Sequence, residues 1–402
     1  MSNISTLPTS DKEKFEEMIN KPNVGFNNIS QKNTAISRVQ KNIVLAYKSD
    51  DTGCGYIRTA FPMNYLNSVF GKSGRFNAFI CPPGMFIYDQ HILQKTRSIW
   101  FQRTMAPQQI PMVAQYKELQ KKHKFKLIYD VDDFIWDGSA EGEEIPEYNF
   151  GKNTISPEVQ RASIEIMKMM DIVCVSTKFL GDYIVSKGID KDKIRVVHNT
   201  VSQAFWGSAK KPPITERIEK PRVLWSASPT HWHDQKELAG DMDNAWKGWV
   251  IENVRKGKID FYQMGGLPFF FRPIKDKITV IPWLNSYQYH LAVINVNPHF
   301  GISPLVPNFF NYSKSCIKYQ EYCAVGAVGI GTYFTNGEQS PYDVCKIKTP
   351  DNITLPEIDK LFDKLCEPDE FNKIREAQYH QMVKSHWYTE SPGYVDMLMK
   401  IL

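Results

Sequence analysis

The chain has 402 residues, 42% of them hydrophobic and 23% charged, with a formal net charge of +5 and a pI near 8.6. That length predicts about two to three domains with sizeable cores, and the mild basicity permits a polyanionic partner without demanding one. No apolar run is long enough to span a bilayer. The polar, mixed-charge first 21 residues are unlike a signal peptide. The seven cysteines form no CxxC pair, which suits buried thiols in a reducing cytoplasm.

Residues 1–40 are rich in Asn, Ser, Lys and Thr and read as a flexible arm. Order begins at 42–47, a short apolar run typical of a buried strand. The loop Ser49-Asp-Asp-Thr-Gly-Cys-Gly-Tyr-Ile-Arg58 follows, then a helix over 62–69. Strand, glycine loop and helix form the first unit of a doubly wound sheet. The alternation continues with strands at 77–81, 98–102, 126–130, 171–176 and 194–198 and helices at 111–122, 157–169 and 178–187. Residues 41–207 thus make one parallel-sheet domain, and the Lys- and Pro-bearing stretch 208–221 reads as a linker.

A second such rhythm occupies 222–385. It starts with a strand at 222–225, the loop Ser226-Ala-Ser-Pro-Thr-His-Trp-His-Asp234 and a helix to about 246. Strands are expected at 259–263, 279–281, 291–296 and 328–331. Tail helices are expected at 355–366 and 371–385. The last segment, 386–402, carries a helix that can cross back onto the first domain.

Three constellations carry candidate chemistry. In 304–331 a loop leads into a helix, with Ser313 or Ser315 as its cap and Gly326 as its left-handed stop. Lys314, Lys318 and Glu321 then share one helix face. Two lysines at a helix start favour an anion such as phosphate, and a glutamate further in can accept from sugar hydroxyls. A solvated Lys–Glu face is the plain alternative. The second constellation is Tyr129-Asp-Val-Asp-Asp-Phe-Ile-Trp136, whose acids follow an apolar strand and so reach the ligand end of the sheet. Three close carboxylates can leave one as a base, hold a divalent metal, or decorate a helix start. The third is Thr230-His-Trp-His-Asp234, better read as loop donors to phosphate or sugar than as a metal site.

These motifs, in this order, resemble the GT-B fold of nucleotide-sugar glycosyltransferases: an α/β architecture of two doubly wound Rossmann-like domains facing across a cleft. Asp130-Val-Asp-Asp-Phe-Ile-Trp136, Trp225-Ser-Ala-Ser-Pro-Thr-His231 and Pro304-Leu through Ser313-Lys-Ser, Lys318 and Glu321-Tyr are similar to segments of surface-polysaccharide glycosyltransferases. The resemblance implies a UDP-sugar co-substrate, no tightly bound cofactor and no required divalent metal. Its catalytic candidates are Asp132, Asp133 and His231. Its donor-binding candidates are Gly53, Gly55, Arg58, Ser228, Thr230, Ser313, Lys314, Ser315, Lys318 and Glu321. Asp130, Trp136 and Arg103 fall on the acceptor side, and no residue is assigned to a metal. Retaining members carry a Glu where this chain has Ser313-Lys314, so the stereochemistry stays open; in an inverting enzyme Asp132 or Asp133 is the base.

The chain also resembles phage enzymes that transfer glucose or arabinose to hydroxylated cytosine in DNA, which makes double-stranded DNA the expected acceptor and surface polysaccharide the alternative. Arg97, Arg103, Lys121, Lys122, Lys124 and Lys126 are the candidate phosphate contacts. A nucleotide-sugar-binding protein without turnover is a rival from another class. A metal-dependent GT-A enzyme using Asp130-Val-Asp132 would have one sheet instead of two. A dehydrogenase is excluded, since no GxGxxG opens a helix after a strand.

Overall fold

A computed structural model describes residues 41–51, 53–81, 85–136, 155–206, 211–227 and 245–402. The proposed arm 1–40 and the loop residues Ser228, Thr230 and His231 lie outside the described residues. The first six strands are β1 (Ile43–Tyr47), β2 (Asn77–Cys81), β3 (Thr96–Gln102), β4 (Lys126–Val131), β5 (Ile172–Val175) and β6 (Ile194–Val196). They form one parallel sheet in the order β2-β1-β3-β4-β5-β6. The next six are β7 (Arg222–Ser226), β8 (Asp260–Met264), β9 (Thr279–Ile281), β10 (Phe300–Ser303), β11 (Val328–Tyr333) and β12 (Ile347–Pro350). Their parallel sheet has the order β12-β11-β10-β7-β8-β9. Two sheets rule out the single-sheet GT-A alternative.

Strand alternation explains why each sheet needs cover on both faces. In β1, Ile43, Leu45 and Tyr47 enter one core while Val44 and Ala46 enter another. Trp100 of β3, Ile128 of β4 and Cys174 of β5 join the second group. That face is covered by Met63 and Leu66 of helix Phe61–Phe70 and by Tyr394, Val395, Leu398 and Ile401 of the last helix, Pro392–Ile401. The C-terminal helix therefore packs on the first sheet, after the chain has built the second. Arg97 donates to the Met399 carbonyl at 3.1 Å and Lys126 to the Ile401 carbonyl at 3.0 Å, so both cations sit where the helix end is electronegative.

The return is laced to the outward crossing. Val201 N–H donates to the Trp387 carbonyl at 3.0 Å, and Thr389 N–H donates to the Val201 carbonyl at 2.9 Å. Glu390 accepts from the Ser202 hydroxyl and the Gln203 amide at 2.7 and 2.9 Å.

Some elements differ from expectation. Residues 291–296, read as a strand, belong to helix Ser286–Val296. The Asn285 side chain accepts from the Gln288 amide, and Asn297 closes the helix at φ +46°. These two caps outweigh the β-branched run between them. The strand that the sheet needs there is β10, and β12 is a further strand absent from the sequence reading. The loop at 49–58 turns helical from Gly53; the helix expected between the loop after β7 and about residue 246 lies almost wholly outside the described residues, and a helix not expected from sequence runs over Ala245–Arg255.

Leu398 is 2% exposed between the sheet and helix Phe61–Phe70. Leu398→Ala is expected to lower unfolding free energy by about 2–5 kcal/mol in urea titration.

Candidate active site

The carboxyl ends of both sheets carry the charged residues. In the first sheet β1 and β3 are neighbours at the point where strand order reverses, the place where such sheets take ligands. Just beyond β4, Asp132 and Asp133 meet Arg103, which follows β3. Arg103 Nε donates to Asp132 Oδ1 at 3.0 Å, and its terminal nitrogen reaches Asp132 at 2.9 Å and also Asp133. The Arg103 backbone sits at φ +46°, and its amide donates to the Asp130 carbonyl at 2.9 Å. The side chain of Asp132 is 5% exposed and that of Asp133 27%. Cys54, Asp132 and Asp133 bring three possible ligand atoms within 4.8 Å of one another. Arg103 already supplies positive charge to both carboxylates there.

Asp130 and Arg58 stand apart from this cluster. Their side chains are 0% and 1% exposed. Arg58 donates to both Asp130 oxygens, to the Val197 carbonyl and, at 3.0 Å, to Asn199 Oδ1. Burial pushes the Asp130 carboxyl up to about 6 against the pull of Arg58. Asp130 in turn holds the guanidinium above its ordinary range, against desolvation. This pair was expected to meet acceptor and donor; its hydrogen bonding is internal instead. Trp136 is likewise core: 3% exposed, with Nε1 donating to Ser163 Oγ at 3.0 Å and its ring against Phe134 and Tyr183. Gly55 has a steric reason to be glycine, since a Cβ there would lie 2.0 Å from the Asp50 carbonyl oxygen.

The predicted phosphate helix is two helices, Phe309–Ser313 and Ile317–Ala324. The first is capped by Asn308, whose side chain accepts from Asn311 N–H, so neither Ser313 nor Ser315 is the cap. Ser313 is fully buried, its hydroxyl turned back to the Phe310 carbonyl. Its own carbonyl accepts from Thr177 of the first domain at 2.8 Å, which diverts it from helical bonding. Lys314 is extended, with Nζ 3.9 Å from the Phe310 ring centroid. Ser315 accepts from Asn199 Nδ2 at 2.8 Å. The second helix has no side-chain cap at Cys316, and Gly326 follows its end at φ +68°, the left-handed stop expected of it.

Lys318 and Glu321 share a face of the second helix and are paired at 2.9 Å. Both also meet Tyr289 of helix Ser286–Val296: Lys318 Nζ lies 2.9 Å and Glu321 Oε2 2.7 Å from the phenol oxygen. Ser226, the last residue of β7, is 2.9 Å from the same oxygen. Glu321 borders an interdomain pocket whose walls include Gly53, Ile57 and Phe61 from one domain and Tyr289 and His290 from the other. The structure thus brings Gly53 and Glu321 to one cleft, with Lys318 paired to Glu321, and buries Arg58, Asp130 and Trp136 away from it. Tyr289, Asn199 and Thr177 were missed from sequence. Only Asn285, capping the helix that presents Tyr289, left a local signal.

Two measurements check these assignments. Asp130→Asn leaves the Arg58 charge buried without its partner and is expected to cost about 3–5 kcal/mol of stability by urea unfolding. His290 is 2% exposed, and burial holds its imidazole down at about 4. Its unfolded value is near 6.5, so the unfolded chain binds the extra proton between the two values and stability falls with acidification. The stability difference, wild type minus His290→Asn, is expected to fall by about 2 kcal/mol between pH 7 and pH 5.

No protein-family model and no curated protein matches the chain. Solved structures do. Anabaena HepE in complex with UDP aligns with a TM-score of 0.53 at 8% identity, covering 90% of this chain and 99% of that one. HepE in complex with UDP-glucose aligns at 0.52 and 6% identity, covering 89% and 98%. Sucrose-phosphate synthase from Thermosynechococcus elongatus aligns at 0.53 and 9% identity, covering 90% and 98%. Two parallel six-stranded sheets with flanking helices, aligned along nearly the whole of these structures, give the chain the GT-B fold.

Proposed function

We propose that the chain is a glycosyltransferase that moves a sugar from a UDP-sugar to a hydroxyl acceptor. The observation that carries this reading is the interdomain pocket, where Glu321 of the second domain faces Gly53 of the first at the carboxyl ends of both sheets. HepE, a structure of the same fold, is seen with UDP and with UDP-glucose. In this reading Glu321 accepts from the nucleotide ribose. Lys318, Lys314 and the uncapped amides of helix Ile317–Ala324 meet the diphosphate. Ser228, Thr230 and His231, which follow β7 in the sequence and lie outside the described residues, are the further candidate donors to the phosphates.

In the inverting form of the reaction a base is needed on the acceptor side. A carboxylate takes the acceptor hydroxyl proton, the oxygen attacks the anomeric carbon, and the bond to UDP breaks with its electron pair on the diphosphate. Asp133 suits the base better than Asp132, because its side chain is the more exposed of the two. Arg103 stabilises the ionised carboxylate and must loosen as the proton arrives.

Hydroxylated cytosine in double-stranded DNA is the first acceptor to test. One observation favours surface polysaccharide as the second. Arg97 and Lys126 are held by the last helix, Arg103 by the acids, and Lys121 by Glu118. Lys122 donates to Gln90 Oε1 at 3.3 Å, so of the six candidate phosphate contacts Lys124 alone has no such partner among the described residues.

The test is a transfer assay with a panel of UDP-sugars, read by mass spectrometry. Acceptors are duplex DNA with and without hydroxylated cytosine, and a bacterial polysaccharide. Gain of one hexose or pentose on the modified base alone establishes DNA as acceptor, and gain on the polysaccharide alone establishes the second reading. Asp133→Asn is expected to cut kcat on the order of 10²–10⁴-fold with donor binding kept. Binding of UDP-sugars without transfer to any acceptor would leave a nucleotide-sugar-binding protein.

A further inference from the structure

Tyr289 has no role in the reading above, yet its phenol touches both charged residues of the proposed donor site. A phenol has one O–H and two lone pairs. Ionised Glu321 can only accept, so the phenol proton points to Glu321 Oε2, 2.7 Å away. The Lys318 ammonium can only donate, so it occupies one lone pair, at 2.9 Å. Ser226 Oγ, at 2.9 Å, must then donate into the other. All three positions of the hydroxyl are assigned, and none can rotate away without breaking two partners.

Lys318 is held a second way, with Nζ 4.5 Å from the Tyr289 ring centroid and 2.9 Å from Glu321 Oε2. What the arrangement leaves open is specific. Glu321 Oε2 takes both donors, while Oε1 takes no hydrogen bond among the described residues and belongs to a side chain lining the pocket. One Lys318 N–H also remains, on a side chain 25% exposed. One free acceptor and one free donor, side by side, match a sugar hydroxyl next to a phosphate.

We propose that Tyr289 is a positioning residue: it fixes Glu321 so that one carboxylate oxygen is presented to the ribose hydroxyls of the nucleotide, and it keeps Lys318 beside that oxygen. This rests on the donor-site reading of Glu321. Tyr289 lies 32 residues before Glu321, on the helix after β9, so the second domain assembles its hydroxyl reader from three separate segments: the end of β7, the helix Ser286–Val296 and the helix Ile317–Ala324.

The test is calorimetric binding of UDP and of 2′,3′-dideoxy-UDP to the full chain, its Glu321→Ala variant and its Tyr289→Phe variant, with thermal unfolding of each. Wild type is expected to prefer UDP by about tenfold or more, the scale of a hydrogen bond to a charged group. Glu321→Ala is expected to abolish that preference. Tyr289→Phe keeps the ring and is expected to lose most of the preference while binding dideoxy-UDP nearly as wild type does. A purely structural role would instead weaken both ligands alike, and that result overturns the proposal. If Tyr289→Phe keeps the full preference while Glu321→Ala loses it, the donor reading stands and the role of Tyr289 falls. If wild type shows no preference, the reading of Glu321 falls and the role of Tyr289 with it. Should Tyr289→Phe unfold early, Ser226→Ala removes one donor to the same phenol and is expected to reduce the preference in the same direction; an unchanged preference there overturns the proposal.

Discussion

The buried pair of Arg58 and Asp130 is the interaction on which the geometry of the cleft depends. Two charges removed from water are tolerable when they are paired and well hydrogen-bonded. Arg58 donates to the Asp130 carboxylate, the Val197 carbonyl and Asn199. Asp130 belongs to β4, directly ahead of the acids of the cleft, and Val197 follows β6. Asn199 passes the constraint on, through its other amide atom, to Ser315 ahead of the helix that carries Lys318 and Glu321. One guanidinium thus sets the acid cluster of one domain against the helix of the other. It does so from within the fold, with its side chain 1% exposed.

The acids and the donor side solve a common problem by different means. Both place ionised groups at the edge of an apolar core. Around Asp132 and Asp133 the answer is a cation, Arg103, shared between two carboxylates. Around Glu321 the answer is a neutral phenol that also receives a lysine. Burial and the neighbouring carboxylate push the Tyr289 phenol well up, so it keeps its proton beside Glu321. A shared cation keeps an acid ionised until a proton arrives, which suits a base; a rigid phenol keeps an acid oriented, which suits recognition.

Much of the fold was legible because parallel strands buried on both faces read as short apolar runs, as β1, β4 and β5 do. The same rule misassigned residues 291–296, where an apolar run is helical because its flanking asparagines cap it. Lys318 and Glu321 were legible because their relation is local, three residues along one helix. Arg58 and Asp130 were not, because their partnership spans 72 residues and nothing in either neighbourhood announces it. A charged residue at a strand end carries the same local signature whether it meets a ligand or another part of the chain. Arg97 and Lys126 show this too: a basic surface on paper is, in the fold, the cap of a helix some 270 or more residues away.

That helix has a consequence for the order in which the molecule can be made. Tyr394, Val395, Leu398 and Ile401 cover part of one face of the first sheet. On a ribosome the strands of that sheet emerge well before this part of their cover, with the entire second sheet synthesised in between. Until helix Pro392–Ile401 arrives, the face holding Val44, Trp100 and Ile128 has Met63 and Leu66 but lacks the rest of its cover. The core of the first domain is thus completed by a helix made after the second sheet.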